Sequence, residues 1–203
     1  MEARFLQDKL QDALGKRVFL DSDDLVDLRL LTDAVLNSDV IVLLQSANVF
    51  TRPWCLIELV TALDHRVPIV CVCLETGKHR YDFETASRFL TALDSELDVK
   101  NPGASATLAK HGVDVHDAAW KLSCTLPAII SVAFNPSASQ AVLSATVNDI
   151  ADAVRKARPL DNPVSHEEWN RRRAITLNAG MTAIAWALKL KHVTRDFVRN
   201  LRR

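Results

Sequence analysis

Few residues in this chain have the types and spacing to do chemistry. Glu58 lies inside Arg52-Pro-Trp-Cys-Leu-Ile-Glu-Leu59, four residues after Trp54 and three after Cys55. At about 100° per residue, Leu56, Leu59, Val60 and Leu63 cluster on one side of a helix. Glu58 falls nearly opposite, beside Cys55, Thr61 and Ala62. On those grounds alone it is a solvated glutamate on the outer face of an amphipathic helix. Trp54 on that face is less ordinary, because an indole prefers burial or a partner. Asp21, Asp23 and Asp24 gather three carboxylates within four residues, a donor type suited to Ca²⁺ or Mg²⁺. The EF-hand spacing with its Gly and Glu is missing, so these are expected to be turn formers on a solvated loop, and no metal site is expected. Cys55, Cys71, Cys73 and Cys124 include no C-x-x-C pair and have no histidine at metal-ligand spacing. Cys71 and Cys73 share one face of a strand, and all four read as buried, reduced thiols. Neither a Gly-rich phosphate loop, nor H-E-x-x-H, nor a G-x-S-x-G elbow occurs.

The elements that must position these residues alternate between strand and helix. Ala3 to Leu14 reads as a short amphipathic helix closed by Gly15, followed by a short strand at Arg17–Leu20 and the acidic loop. A helix is expected over Leu28–Leu36. Val40–Leu44 and Pro68–Leu74 are continuous apolar runs of the kind buried on both faces of a parallel sheet. Between them a helix opens near Pro53, a good first-turn residue, and runs to about Asp64. Residues 79–126 read as helical segments with a loop at Asn101-Pro102-Gly103. Ala128–Phe134 is the last strand, and Ser137-Ala-Ser-Gln140 is a capping box opening a helix to Ala157. Such alternation implies an open parallel α/β sheet. Arg158 to Val164, with Pro159 and Pro163, reads as a linker. Ser165-His-Glu-Glu168 is a second capping box, and Leu177, Met181, Ile184, Leu188, Val193, Phe197 and Leu201 continue at helical spacing.

Composition narrows the class. The 203 residues are 48% apolar and 25% charged, which excludes wholesale disorder and fibrous repeats. Met1 to Asp8 has no apolar signal region, and the longest nearly apolar stretch, Ala174–Leu188, is shorter than the ~20 residues of a span. A cytoplasmic protein is expected. The 25 basic and 25 acidic residues cancel, but unevenly. Residues 1–154 carry 13 basic and 21 acidic residues, net −8, and residues 155–203 carry 12 and 4, net +8. An acidic body with a basic tail points to a partner surface.

Three stretches together resemble the Toll/interleukin-1 receptor (TIR) domain: Arg17-Val-Phe-Leu-Asp-Ser-Asp-Asp-Leu25, Leu36-Asn-Ser-Asp-Val-Ile-Val-Leu-Leu44, and Ser46 to Leu59 with its W-C-x-x-E-L signature. The last is similar to the TIR-like domains of protists. The resemblance spans roughly residues 3–157 and is specific at 50–60. It implies a flavodoxin-like doubly wound parallel sheet. The family places a strand and a loop before its first helix, whereas this chain starts inside that helix. A sheet lacking its first, central strand is therefore expected, from a truncated reading of a longer chain or from a degenerate domain whose second strand pairs directly with its third. The glycine that the family often places late in its acidic BB loop stands here as Leu28.

The resemblance also implies roles. Catalytically active TIR domains cleave the nicotinamide–ribose bond of NAD⁺ with the glutamate of this signature, which corresponds to Glu58, with Trp54 and Cys55 as substrate-binding candidates. One carboxylate suits that chemistry. Nicotinamide leaves as a neutral base, and an anion beside the ribose can hold its hydroxyls and stabilise oxocarbenium-like charge. The BB loop mediates domain–domain contact in the family, which makes Asp21, Asp23, Asp24 and Leu25 interface candidates. The reading is thus a TIR-like domain at 1–157, a linker at 158–164 and a basic helical extension at 165–203. It would signal by TIR–TIR self-association as a homo-oligomer, with NAD⁺ as substrate and no cofactor. Two alternatives stand beside it: a non-enzymatic TIR adaptor, and a nucleoside N-glycosidase or deoxyribosyltransferase-like enzyme. For the basic tail the order of expectation is packing on the body, then a protein interface, then membrane or nucleic-acid contact.

Overall fold

Six apolar residues in a row, Ile69–Leu74, leave a strand no face to offer water, and all six are buried in the strand they form. In the structure, a computed structural model that describes residues 2–20, 31–160 and 164–175, this strand (β2) is central. Parallel to it run β1, Ile41–Gln45, and β3, Val132–Phe134, in the order β1-β2-β3. Ile41 pairs with Ile69 and Gln45 with Cys73 on one side, and Val72 with Val132 and Leu74 with Phe134 on the other. The helices are α1 (Glu2–Leu14), α2 (Leu31–Leu36), α3 (Pro53–Asp64), α4 (Phe83–Thr91), α5 (Leu93–Lys100), α6 (Ala104–Lys110), α7 (Val115–Thr125) and α8 (Gln140–Lys156). The protein is a mixed α/β fold whose three-stranded parallel sheet is flanked by helices.

Alternation along β2 separates its neighbours. Val72 and Leu74 join Phe134 in a core cluster with Leu6 and Leu10 of α1 and Leu143, Val147, Ile150 and Ala151 of α8. The Phe5 and Phe134 rings stack there with centroids 6.2 Å apart. Cys71 and Cys73 point to the other face. The crossover from β1 to the parallel β2 carries α3 to that other face, and α3 contributes nothing to the α1/α8 cluster.

Four expectations need correction. Arg17–Leu20 is not a strand and does not pair with β1. Two glutamines one turn apart on α1 take its backbone instead: Gln7 Nε2 donates to the Val18 carbonyl at 3.0 Å, and the Val18 N–H donates to Gln11 Oε1 at 3.2 Å. β1 is not doubly buried. Ile41, Val42 and Leu44 are half-buried because β1 ends the sheet, with no strand on its outer edge among the described residues. The last strand is shorter than Ala128–Phe134: Leu126–Ala128 is a 3₁₀ turn, and Ile130 is 94% exposed. The cap of α8 is Ser139 rather than Ser137. The Asn135 side chain accepts the Ser137 N–H at 2.9 Å in a turn, and Ser139 Oγ accepts the Val142 N–H.

The contacts divide the chain between Pro163 and Val164. In the second unit a helix covers 166–175, capped where Ser165 Oγ accepts the Glu168 N–H at 3.3 Å. Glu168 pairs with Arg171 at 2.8 Å and Arg172 at 2.7 Å, and the Arg173 guanidinium lies 4.9 Å over the Trp169 ring. The apolar stripe from Leu177 to Leu201 lies outside the described residues.

Candidate functional site

The helix that carries Glu58 is fixed at both ends. Val49–Thr51 forms a 3₁₀ turn after β1, and Asn101 Nδ2 donates to the Thr51 carbonyl at 2.9 Å, pinning the approach to the helix. Arg52 is extended, and Pro53 opens α3 at the position where a missing N–H costs nothing. At the far end Arg66 takes a left-handed conformation, φ 58°. There the Val67 N–H donates to the Ala62 carbonyl at 2.8 Å and the Arg66 N–H to the Leu63 carbonyl at 3.2 Å. This is a Schellman closure, with Val67 buried behind it. It turns the chain back into β2.

α3 is buried more widely than its sequence pattern suggests. Leu56, Ile57, Leu59, Val60, Thr61 and Ala62 are all buried, because α2, α6 and α7 pack around the helix. Glu58 is therefore half-buried rather than on an open outer face, since its neighbours Thr61 and Ala62 are covered. Trp54 is half-buried too, and its ring meets His111, at the end of α6, edge-on at 4.7 Å. Cys55 is half-buried, as is Cys124 on α7, so full burial holds only for Cys71 and Cys73 in the sheet. Lys121 of α7 ties the end of α3 to its own helix through Asp64 (2.5 Å) and Asp117 (2.7 Å). Burial pulls the Lys121 ammonium down, but hydrogen bonds to Asp117 and Asp64 outweigh it and hold its pKa above the ordinary value.

The helix places Trp54 and Glu58 one turn apart on a common face, with Cys55 adjoining. Asp21, Asp23, Asp24 and Leu25 lie outside the described residues. Among the described residues, no group of three or more His, Cys, Asp or Glu side chains could hold a metal ion. No described helix is long and apolar enough to cross a membrane.

A second set of polar groups lies at the end of β1, where no sequence motif marks it. Gln45 ends β1 and is 2% exposed, and its Oε1 accepts the Ser131 hydroxyl at 2.7 Å. It lines a cavity of about 240 Å³ with Tyr81 and the α4 residues Phe83, Glu84, Ser87 and Leu90; Trp54, Cys55 and Glu58 do not line it. Phe50 and Phe83 both meet the Tyr81 ring edge-on, at 6.3 and 4.8 Å. Burial, with the nearby Cys71, Cys73 and Asp82, pushes the Tyr81 hydroxyl up, so it stays protonated and able to donate. Burial beside Cys73 raises the Cys71 thiol to about 12, which keeps it unreactive. A polar residue ending an otherwise apolar strand was the one sequence signal for Gln45.

No protein-family model matches the chain, and no curated protein shows significant similarity to it.

Proposed function

We propose that residues 1–157 are a TIR-like, flavodoxin-like signalling domain that self-associates and cleaves the nicotinamide–ribose bond of NAD⁺ with Glu58. The observation that carries this reading is the position of Arg52–Leu59. Arg52 caps, and Pro53–Leu59 forms, the first half of the helix that follows a parallel strand, with Trp54 and Glu58 one turn apart on one face. Helices on both faces of a parallel sheet support the doubly wound plan. Glu58 would act as the anion beside the ribose, holding hydroxyls and stabilising positive charge as neutral nicotinamide departs. Half-burial strengthens such an interaction relative to one in open water.

One observation favours the non-enzymatic adaptor instead. The Trp54 ring is held against His111, a packing role that accounts for the indole without a substrate. Incubation of the purified protein with NAD⁺ separates the two, because only the enzyme releases nicotinamide. Consumption of free nucleosides in place of NAD⁺ would move the assignment to an N-glycosidase.

A further inference from the structure

The cavity at the end of β1 holds a buried side chain whose polar capacity the protein leaves half used. Ser131 satisfies the oxygen of the Gln45 amide, while Nε2 donates to no described residue and, in a side chain only 2% exposed, keeps accessible surface. Water can meet such a donor, and a ligand that displaces the water must bring an acceptor in its place. The Tyr81 hydroxyl is likewise without a partner among the described residues. The walls are the rings of Tyr81 and Phe83 with Leu90, and Ser87 and the exposed Glu84 stand on α4. At ~30 Å³ per water, the space of about 240 Å³ holds about eight waters, the size of one ring system and below the range of drug-sized sites.

We infer that this cavity is a binding site for a planar nitrogen heterocycle of nucleobase size, seated against Tyr81 and Phe83 with an in-plane acceptor on Gln45 Nε2. Aromatic and aliphatic walls require apolar faces, the Gln45 amide requires an acceptor at the ligand's edge, and Glu84 and Ser87 accept from an edge donor. Flat faces with adjacent donor and acceptor edges define that chemical class. The inference does not depend on Glu58, which does not line the cavity, so probe binding and nicotinamide release can each fail without the other.

Adenine is the probe, titrated into the full chain and followed by saturation-transfer NMR and calorimetry. For so small a ligand, binding is expected with a Kd of order 1 mM. Gln45→Leu should weaken it about ten-fold, the loss of one buried hydrogen bond. Phe83→Ala should weaken it several-fold, and because Phe83 is 54% exposed this variant keeps the test decisive if Gln45→Leu fails to fold. Val142→Ala, an exposed position on α8, should bind as the wild type does. Absence of binding by both adenine and 2-aminopyridine at about 10 mM would overturn the inference, as would wild-type affinity in Phe83→Ala and in a folded Gln45→Leu.

Discussion

Replacing Arg66 with glycine should stabilise the protein, and the size of the gain follows from the geometry that ends α3. Arg66 sits at φ 58°, where the Cβ of an L-residue crowds the backbone at a cost of about 1–2 kcal/mol. Glycine removes that cost but loses about 0.5–1 kcal/mol of extra backbone entropy on folding. The Arg66 side chain is exposed and has no hydrogen bond or ion pair among the described residues, so its removal subtracts little. The net expectation is a gain of about 0.5–1 kcal/mol for Arg66→Gly, a rise in Tm of roughly 1–4 °C for a chain of this size. Arg66→Ala keeps the Cβ and should stay within about 0.5 kcal/mol of wild type. Urea unfolding of the three proteins, with midpoints compared at equal m-values, measures both effects. A glycine variant less stable than the alanine variant would refute the Schellman closure, and with it the account of how α3 is held between β1 and β2.

Further expectations concern the core, the helix caps and the charge split. Phe134→Ala removes a fully buried ring from the α1/α8 cluster and should cost about 3–5 kcal/mol, seen as a fall in Tm of roughly 6–20 °C. Asp82 caps α4 by accepting the Thr85 N–H at 2.7 Å, and that bond lowers its pKa. Its stabilisation is present above the ordinary Asp value of about 4 and is lost as pH falls through the lower folded-state value. Asp82→Asn caps without titrating, so in acid titrations followed by circular dichroism it should lose stability less steeply than wild type below about pH 4. If the −8 body and the +8 tail meet between copies, self-association measured by light scattering should weaken as salt rises past ~0.1 M, where the screening length is about 10 Å.

The parts of the fold that are legible in the sequence are those set by local pattern. Pro53 and the apolar run behind it give the bounds of α3, and uninterrupted burial gives β2. Val18-Phe19-Leu20 has strand composition, yet its course is decided by Gln7 and Gln11 on another element, which propensity does not register. Two serines compete for the cap of α8, and only the Asn135 side chain chooses between them. The same division holds at the site. The spacing of Trp54 and Glu58 is visible in the sequence, but the His111 ring against Trp54 follows α6, and the wide burial of α3 comes from α2, α6 and α7 packed around it. The Gln45–Ser131 bond joins residues 86 positions apart and has no local signature.

The most direct test of the central claim is nicotinamide release from NAD⁺ by the wild-type protein and by Glu58→Ala, at matched concentration and with matched circular dichroism. The account predicts release by the wild type and its loss in Glu58→Ala. Equal release by the two proteins, or none by either, would contradict it.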